Sequence, residues 1–230
     1  PIGNGFTTFF KGVYNGNNYR ILNLNLGGEK TEFVSNRGLF GGLDGATIKN
    51  LTIYGGEIYG FNQVGAVAGY AKGSKFENLG VYNTIINNKA IAYYNIYGSS
   101  VSGMDKFGNN HYAKHTYGGL VGKTENCSFF ACYSKANVGY AGSTENNVAG
   151  LVANATSTTF DQCFMEGTRY GKAATLSNIS NGGTYKDCYY REQGKTTTTF
   201  YNETKVSDGL DPEIWVRINE KDCLKVFYWN

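Results

Sequence analysis

The chain has 230 residues with 32 Gly, 2 Pro, 19 Tyr and 14 Phe, a composition suited to short strands and tight turns. Charged residues make up 17% and the net charge is +3, so no basic stripe favours nucleic acid or an anionic membrane, and no apolar run is long enough to span a bilayer. Five Cys are too few for a disulfide scaffold and follow no zinc spacing.

Taken in chain order, the sequence opens at Pro1 with neither a signal peptide nor an initiating Met, which reads as a mature or trimmed fragment. The first predicted unit, Phe6 to Leu26, lacks a glycine start and keeps only a second half, Ile21-Leu22-Asn23-Leu24. Five further starts follow: Gly38-Leu39-Phe40-Gly41, Ala66-Val67-Ala68-Gly69, Gly119-Leu120-Val121-Gly122, Gly150-Leu151-Val152-Ala153 and Thr175-Leu176-Ser177-Asn178. Ten residues after each fourth position stands Leu51, Leu79, Cys132, Cys163 or Cys188, preceded at three residues by Ile48, Phe76, Phe129, Phe160 or Tyr185. Together with Leu24, these Leu/Cys positions are 27, 28, 53, 31 and 25 residues apart. Units of this period that cannot bury their own apolar face must stack.

The expected fold is therefore all-β: a single-domain β-solenoid, parallel β-helix-like, of about six rungs over residues 1–195. It carries one insertion, 83–117, and a capping segment, 196–230, with Trp215, Val226, Phe227 and Trp229. No stretch sustains a helical period, and the best candidate for a helical turn is Asp211 to Trp215. Leu39, Val67, Leu120, Leu151 and Leu176 are expected to form a column facing the Leu/Cys column. Cys132, Cys163 and Cys188 replace Leu in their column and so read as small buried hydrophobes, whereas Cys127 and Cys223 lie off it. Between the column of Ile48, Phe76, Phe129, Phe160 and Tyr185 and the Leu/Cys column runs a polar one, Asn23, Asn50, Asn78, Ala131, Gln162 and Asp187. It predicts a left-handed corner that turns both apolar neighbours inward, with amides stacked along it.

The Gly-Leu-x-Gly tetrapeptides at 38–41 and 119–122 resemble the GLUG-motif family. Gly150 to Ala153 departs from the motif at its last position, Ala66 to Gly69 at its first two, and Thr175 to Asn178 keeps only the Leu. Pro1-Ile2-Gly3 and Phe10 to Gly16 are similar to the family's lead-in, and the likeness covers roughly residues 1 to 190. The resemblance implies a secreted or surface-anchored bacterial protein of the adhesin type. It transfers no catalytic residue.

The search for chemistry starts from carboxylates, because parallel β-helices also host polysaccharide lyases and glycoside hydrolases. Asp44, Glu57 and Glu77 fall in successive units, and Asp161 and Asp187 share a position loosely, so no pair is placed on one face. Asp44-Gly45 reads as a turn rather than a calcium loop. His111 and His115 read as solvated loop residues rather than metal ligands. The insertion is the candidate for recognition, because tyrosine among small polar residues is how binding loops are composed, and its aromatic faces suit sugar rings. The ligand-binding candidates are Tyr93, Tyr94, Tyr97, Phe107, His111 and Tyr112; an irregular coil packed on the solenoid is the alternative for this segment. No catalytic, cofactor or metal residue is assigned. The functional expectation is a non-catalytic secreted or cell-surface domain, part of a larger surface protein, that binds a glycan or host matrix protein. The alternative is a carbohydrate-active β-helix enzyme.

Overall fold

The computed structural model describes residues 1–27, 35–86, 116–139, 147–170, 180 and 182–190, with the backbone of strands at 199–200, 215–218 and 221–224. The first rung supplies β1 (Val13–Leu22). The second supplies β2 (Phe40–Asp44), β3 (Thr47–Tyr54) and β4 (Glu57–Ile58), and the third β5 (Ala68–Lys72) and β6 (Lys75–Ile86). The fourth contains β7 (Thr116–Gly118), β8 (Val121–Glu125), β9 (Ser128–Phe130) and β10 (Tyr133–Val138). The fifth contains β11 (Asn147–Ala149), β12 (Val152–Thr156), β13 (Thr159–Asp161), β14 (Phe164–Met165) and β15 (Thr168–Arg169). The sixth contains β16 (Thr184–Lys186) and β17 (Tyr189–Tyr190), followed by β18 (Thr199–Phe200), β19 (Trp215–Ile218) and β20 (Lys221–Leu224).

Rung-to-rung pairing is parallel throughout, as a β-solenoid requires. One wall runs β2, β5, β8, β12. A second wall runs from β1 through β3 and β6 and bends into two limbs, one continuing through β9, β13 and β16 and the other through β10, β14 and β17. Both β18 against β17 and the β19–β20 hairpin are antiparallel. Trp215 opens β19, so the helical turn expected to end there is not formed at that residue; residues 211–214 lie outside the described set.

The predicted columns are the core. Ile48 pairs with Phe76, Phe76 with Phe129, Phe129 with Phe160 and Phe160 with Tyr185. From Phe76 on, their rings stack with centroids 4.4, 5.0 and 5.2 Å apart, the offset geometry that adds attraction beyond buried area. Leu51 pairs with Leu79. The pairs Gly80–Tyr133, Tyr133–Phe164 and Phe164–Tyr189 bring buried Cys132, Cys163 and Cys188, one residue earlier, into the same line. Val67, Leu120 and Leu151 are buried opposite them and Leu39 is half-buried; Leu176 lies outside the described residues.

The polar column is the corner it was expected to be. Asn50, Asn78, Ala131, Gln162 and Asp187 take φ values of 53, 52, 52, 53 and 47°, the left-handed region that Asn tolerates best among residues with a Cβ. A second tight corner, between the walls, uses Gly45, Gly73, Asn126 and Ser157 at 64, 54, 52 and 46°. Glycine at the fourth motif position has a steric cause at Gly69 and Gly122. A Cβ there would lie 2.2 Å from the Asn36 carbonyl carbon or 2.5 Å from that of Gln63 in the preceding rung.

Three expectations need correction. The first rung does have a motif start: Ile2 pairs with Phe40, so Pro1-Ile2-Gly3 occupies the Leu39–Gly41 positions. Its second half is what departs. Tyr19, not Leu24, is opposite Leu51, because Tyr14 is already opposite Ile48 and the kink that follows, where Asn17 and Asn18 have φ of 49 and 62°, carries the pairing only as far as Tyr19. Asn23 accordingly sits at the next corner: its N–H donates to the Tyr54 carbonyl at 2.9 Å, and its side chain lies beside Gly55. In the sixth rung Val152 pairs with Ser180, three residues beyond the predicted Ser177, because the sixth rung reaches Tyr185 by a shorter Gly182-Gly183 turn. The predicted insertion, 83–117, overlaps the stack at both ends: Ile85 and Ile86 pair with Glu57 and Ile58, and Thr116 and Tyr117 with Asn147 and Val148, while residues 87–115 lie outside the described residues.

Candidate functional site

The connections between rungs share one corner. Leu26, Ile58 and Ile86 are aligned where the chain leaves a rung, and Arg37, Val64, Tyr117 and Val148 where it enters the next. The segment 87–115 joins Ile86 to Thr116 and so starts and ends at this corner. Tyr93, Tyr94, Tyr97, Phe107, His111 and Tyr112 all fall in it, outside the described residues, as does His115.

The described chain at this corner is a tight polar turn. The Tyr59 hydroxyl donates to Glu57 at 3.1 Å and the Tyr117 hydroxyl to the Phe61 carbonyl at 3.4 Å. Asn62 Oδ1 accepts from the Gln63 N–H at 2.8 Å and from the Thr116 hydroxyl at 3.4 Å. These bonds tie the second rung's exit to the fourth rung's entry, directly beside the point where the insertion rejoins the solenoid.

A second assembly, on the outer face of the first wall, was not expected from the sequence. Strand register aligns Gly42, Tyr70 and Lys123 in one row and Asp44, Lys72 and Glu125 in the next. Asp44 receives Lys11 at 3.3 Å and Lys72 at 3.6 Å, and Lys123 meets Glu125 at 2.7 Å. Phe9 and Tyr70 meet edge to face with centroids 6.3 Å apart, with Lys72 Nζ over Phe9 at 5.4 Å and Lys123 Nζ over Tyr70 at 5.6 Å. The Tyr70 hydroxyl is pushed up to about 12, first by burial and then by its hydrogen bond to Glu125. The Lys123 ammonium bonded to Glu125 holds that carboxyl below its ordinary range, against partial burial. The signal in the sequence was alternation in two units: two and four residues after the third motif position stand Tyr70 and Lys72 in one and Lys123 and Glu125 in the next, legible once β5 and β8 are aligned.

The carboxylates flagged in the sequence are not brought together. Asp44 is on the first wall between two lysines, and the Gly45 beside it is a left-handed turn residue. Glu57 is at the loop corner, Glu77 shares the second-wall row of Lys49 and Phe130, and Asp161 is bonded by Lys186 at 3.1 Å. No group of three or more His, Cys, Asp and Glu among the described residues could hold a metal ion. Cys127, Cys132, Cys163 and Cys188 are free thiols and buried. Burial pushes the thiols of Cys127, Cys163 and Cys188 up, against the thiolate a nucleophile needs. Among the described residues no helix is long and apolar enough to cross a membrane.

Comparison with family models, with curated proteins and with solved structures finds no match to this chain.

Proposed function

We propose that the chain is a non-catalytic, GLUG-type surface domain of a secreted or cell-surface bacterial protein. Its solenoid holds a recognition segment for a glycan or a matrix protein. The observation that carries this reading is the state of the carboxylates on the described faces. Asp44, Glu125 and Asp161 are each neutralised by a lysine, Asp44 and Asp161 across rungs, while Glu57 and Glu166 accept hydroxyl hydrogen bonds from Tyr59 and Tyr133. Acid–base cleavage of a glycoside needs two carboxyl groups about 5 to 10 Å apart and aimed at one bond, whereas these groups are each held by a lysine or tyrosine, Asp44, Asp161 and Glu166 across neighbouring rungs and Glu57 and Glu125 within one. The corner that carries residues 87–115 supports a display role, because repeat proteins place variable segments on one edge and use them for binding.

The test is an array of glycans and matrix proteins probed with the 230-residue chain, run beside a polysaccharide-cleavage panel. Retention of a ligand without new reducing or unsaturated ends is the expected result. Turnover of any polysaccharide would replace this reading with the enzyme.

A further inference from the structure

The solenoid buries four free thiols that the proposed role does not use. Cys132 and Cys163 are 0% exposed, Cys188 1% and Cys127 4%. Three of them stand in line on successive rungs, and the backbone fixes their spacing. The Phe164 N–H donates to the Cys132 carbonyl and the Tyr189 N–H to the Cys163 carbonyl, both at 2.9 Å. Each column thiol also has a partner, the carbonyl two residues earlier. Cys132 and Cys163 lie in addition 3.6 and 3.8 Å from the Phe76 and Phe129 carbonyls of the rung before.

Both products of disulfide exchange are misfits in this packing. A protein disulfide needs Cβ atoms about 3.5–4.5 Å apart, whereas side chains pointing the same way from neighbouring strands are held about 4.8 Å apart by the strand spacing. The adjacent ring column keeps that spacing, with Phe129 to Phe160 at 5.0 Å and Phe160 to Tyr185 at 5.2 Å. A mixed disulfide instead adds a bulky group at positions with almost no exposed surface, in a close-packed interior where even added methylenes are destabilising. Either product removes the S–H that donates to the corner carbonyl.

The folded and unfolded chains therefore respond differently to an oxidant. Unfolded, the thiols are open to exchange. Folded, they are covered, and burial pushes the Cys163 and Cys188 thiols up, away from the thiolate that exchange requires.

We infer that the fold is redox-gated: the reduced chain stacks into the solenoid, the oxidised chain does not, and stacking closes the thiols to the oxidant that blocks it. The chemistry is exchange with a small-molecule disulfide, RSSR. One protein thiolate displaces a thiolate RS⁻ and forms a mixed disulfide. A second protein thiolate displaces the remaining RS⁻, so that two protein thiols are oxidised and RSSR is reduced to two RSH. Stacking must accordingly be complete before the chain meets such an oxidant.

The test starts from the 230-residue chain unfolded in urea. One portion is kept in dithiothreitol and the other is treated with oxidised glutathione until mass spectrometry shows every thiol consumed; both are then diluted. The reduced portion should regain a β-type circular dichroism spectrum and a cooperative urea transition. The oxidised portion should lose both and recover them when dithiothreitol is added. Folded protein held in the same oxidised glutathione should keep its urea midpoint. If the reduced chain does not refold from urea, cell-free synthesis with dithiothreitol or with oxidised glutathione makes the same comparison. The Cys223→Ser protein, which keeps only the four buried thiols, should behave as wild type. A protein with Cys127→Ser, Cys132→Ser, Cys163→Ser and Cys188→Ser together retains a donor at each corner and should fold under either condition. Should it not fold, the Cys223→Ser protein decides alone. The inference is overturned if the oxidised Cys223→Ser chain regains the native transition with its thiols still blocked. It is also overturned if folded protein loses its midpoint in oxidised glutathione.

Discussion

At the scale of the residue, the corners of the later rungs share one chemical device. A residue in the left-handed region is followed by a short polar side chain that donates back to the carbonyl two residues earlier. Ser74 reaches the Lys72 carbonyl at 2.8 Å, Cys127 that of Glu125 at 3.4 Å and Thr158 that of Thr156 at 3.0 Å. At the next corner Cys132, Cys163 and Cys188 reach the carbonyls of Phe130, Asp161 and Lys186 at 3.4, 3.3 and 3.2 Å. Cysteine is therefore more than a small hydrophobe in this column, and Cys127, which no Leu/Cys spacing accounts for, has the role of Ser74 and Thr158 at the other corner. These thiols should be silent in the native protein. An aromatic disulfide reagent is expected to titrate at most one of the five cysteines before denaturant is added. Rapid reaction of three or more would contradict the buried columns.

The asparagine corner permits a sharper test. Asn78 Nδ2 donates to Asn50 Oδ1 at 3.1 Å and Asn50 Nδ2 to Asn15 Oδ1 at 3.0 Å, so Asn50 both adopts positive φ and links three rungs. Asn50→Gly keeps the backbone conformation and loses the amide bonds, at about 0.5–1.5 kcal/mol each. Asn50→Ala loses the bonds and also places a Cβ in the left-handed region, adding roughly 1–2 kcal/mol. Urea unfolding should rank wild type above Gly and Gly above Ala. Equal costs for the two variants would mean that the corner conformation contributes nothing.

At the scale of the element, what was legible in the sequence follows from how strictly stacking fixes each column. Phe76, Phe129 and Phe160 lie above one another because the third, fourth and fifth rungs repeat the same spacing from motif to corner, and a fixed spacing can be read without coordinates; Tyr185 keeps the line although its rung reaches it by a shorter turn. The first rung hid its start because the inserted turn between Gly3 and Phe10 and the kink at Asn17–Asn18 break that spacing, although register with Phe40 and Ile48 is kept. The outer ladder of the first wall stayed illegible for another reason: Tyr70, Lys72, Lys123 and Glu125 become neighbours only across rungs interrupted by a long surplus of sequence. The pH behaviour of that ladder is a prediction at this scale. Tyr70 has a folded-state pKa of about 12 against an ordinary value of 10.0. Its neutral hydroxyl therefore contributes stability that is fully present below pH 10 and lost as pH rises toward 12. Tyr70→Phe should be less stable than wild type at neutral pH, and the gap should close between pH 10 and 12 in paired thermal melts. A gap independent of pH would show that the Tyr70–Glu125 bond is not the source.

At the scale of the whole molecule, the question is whether the segment that interrupts the repeat is part of the stack. The rungs on either side of it pair with each other directly. Ala68 lies opposite Val121, Phe76 opposite Phe129, Gly80 opposite Tyr133 and Ile86 opposite Val138, so the walls pass directly from the third rung to the fourth, with one register shift between Lys135 and Asn137. Each rung of a solenoid draws its stability from its immediate neighbours, and here the neighbouring rungs meet without residues 87–115 between them. Loop closure costs only a few tenths of a kcal/mol more or less when a long connection is shortened. Replacing residues 98 to 114 with a short Gly/Ser linker should thus leave the thermal midpoint within about 2 °C of wild type, an allowance for an effect of well under 1 kcal/mol in a chain of this size. If recognition resides in the segment, the shortened protein should also lose whatever ligand the array retains. A folded variant that binds as before would move recognition to the walls, where the Tyr70 ladder is the first surface to mutate. A variant that unfolds would show that the segment completes the core.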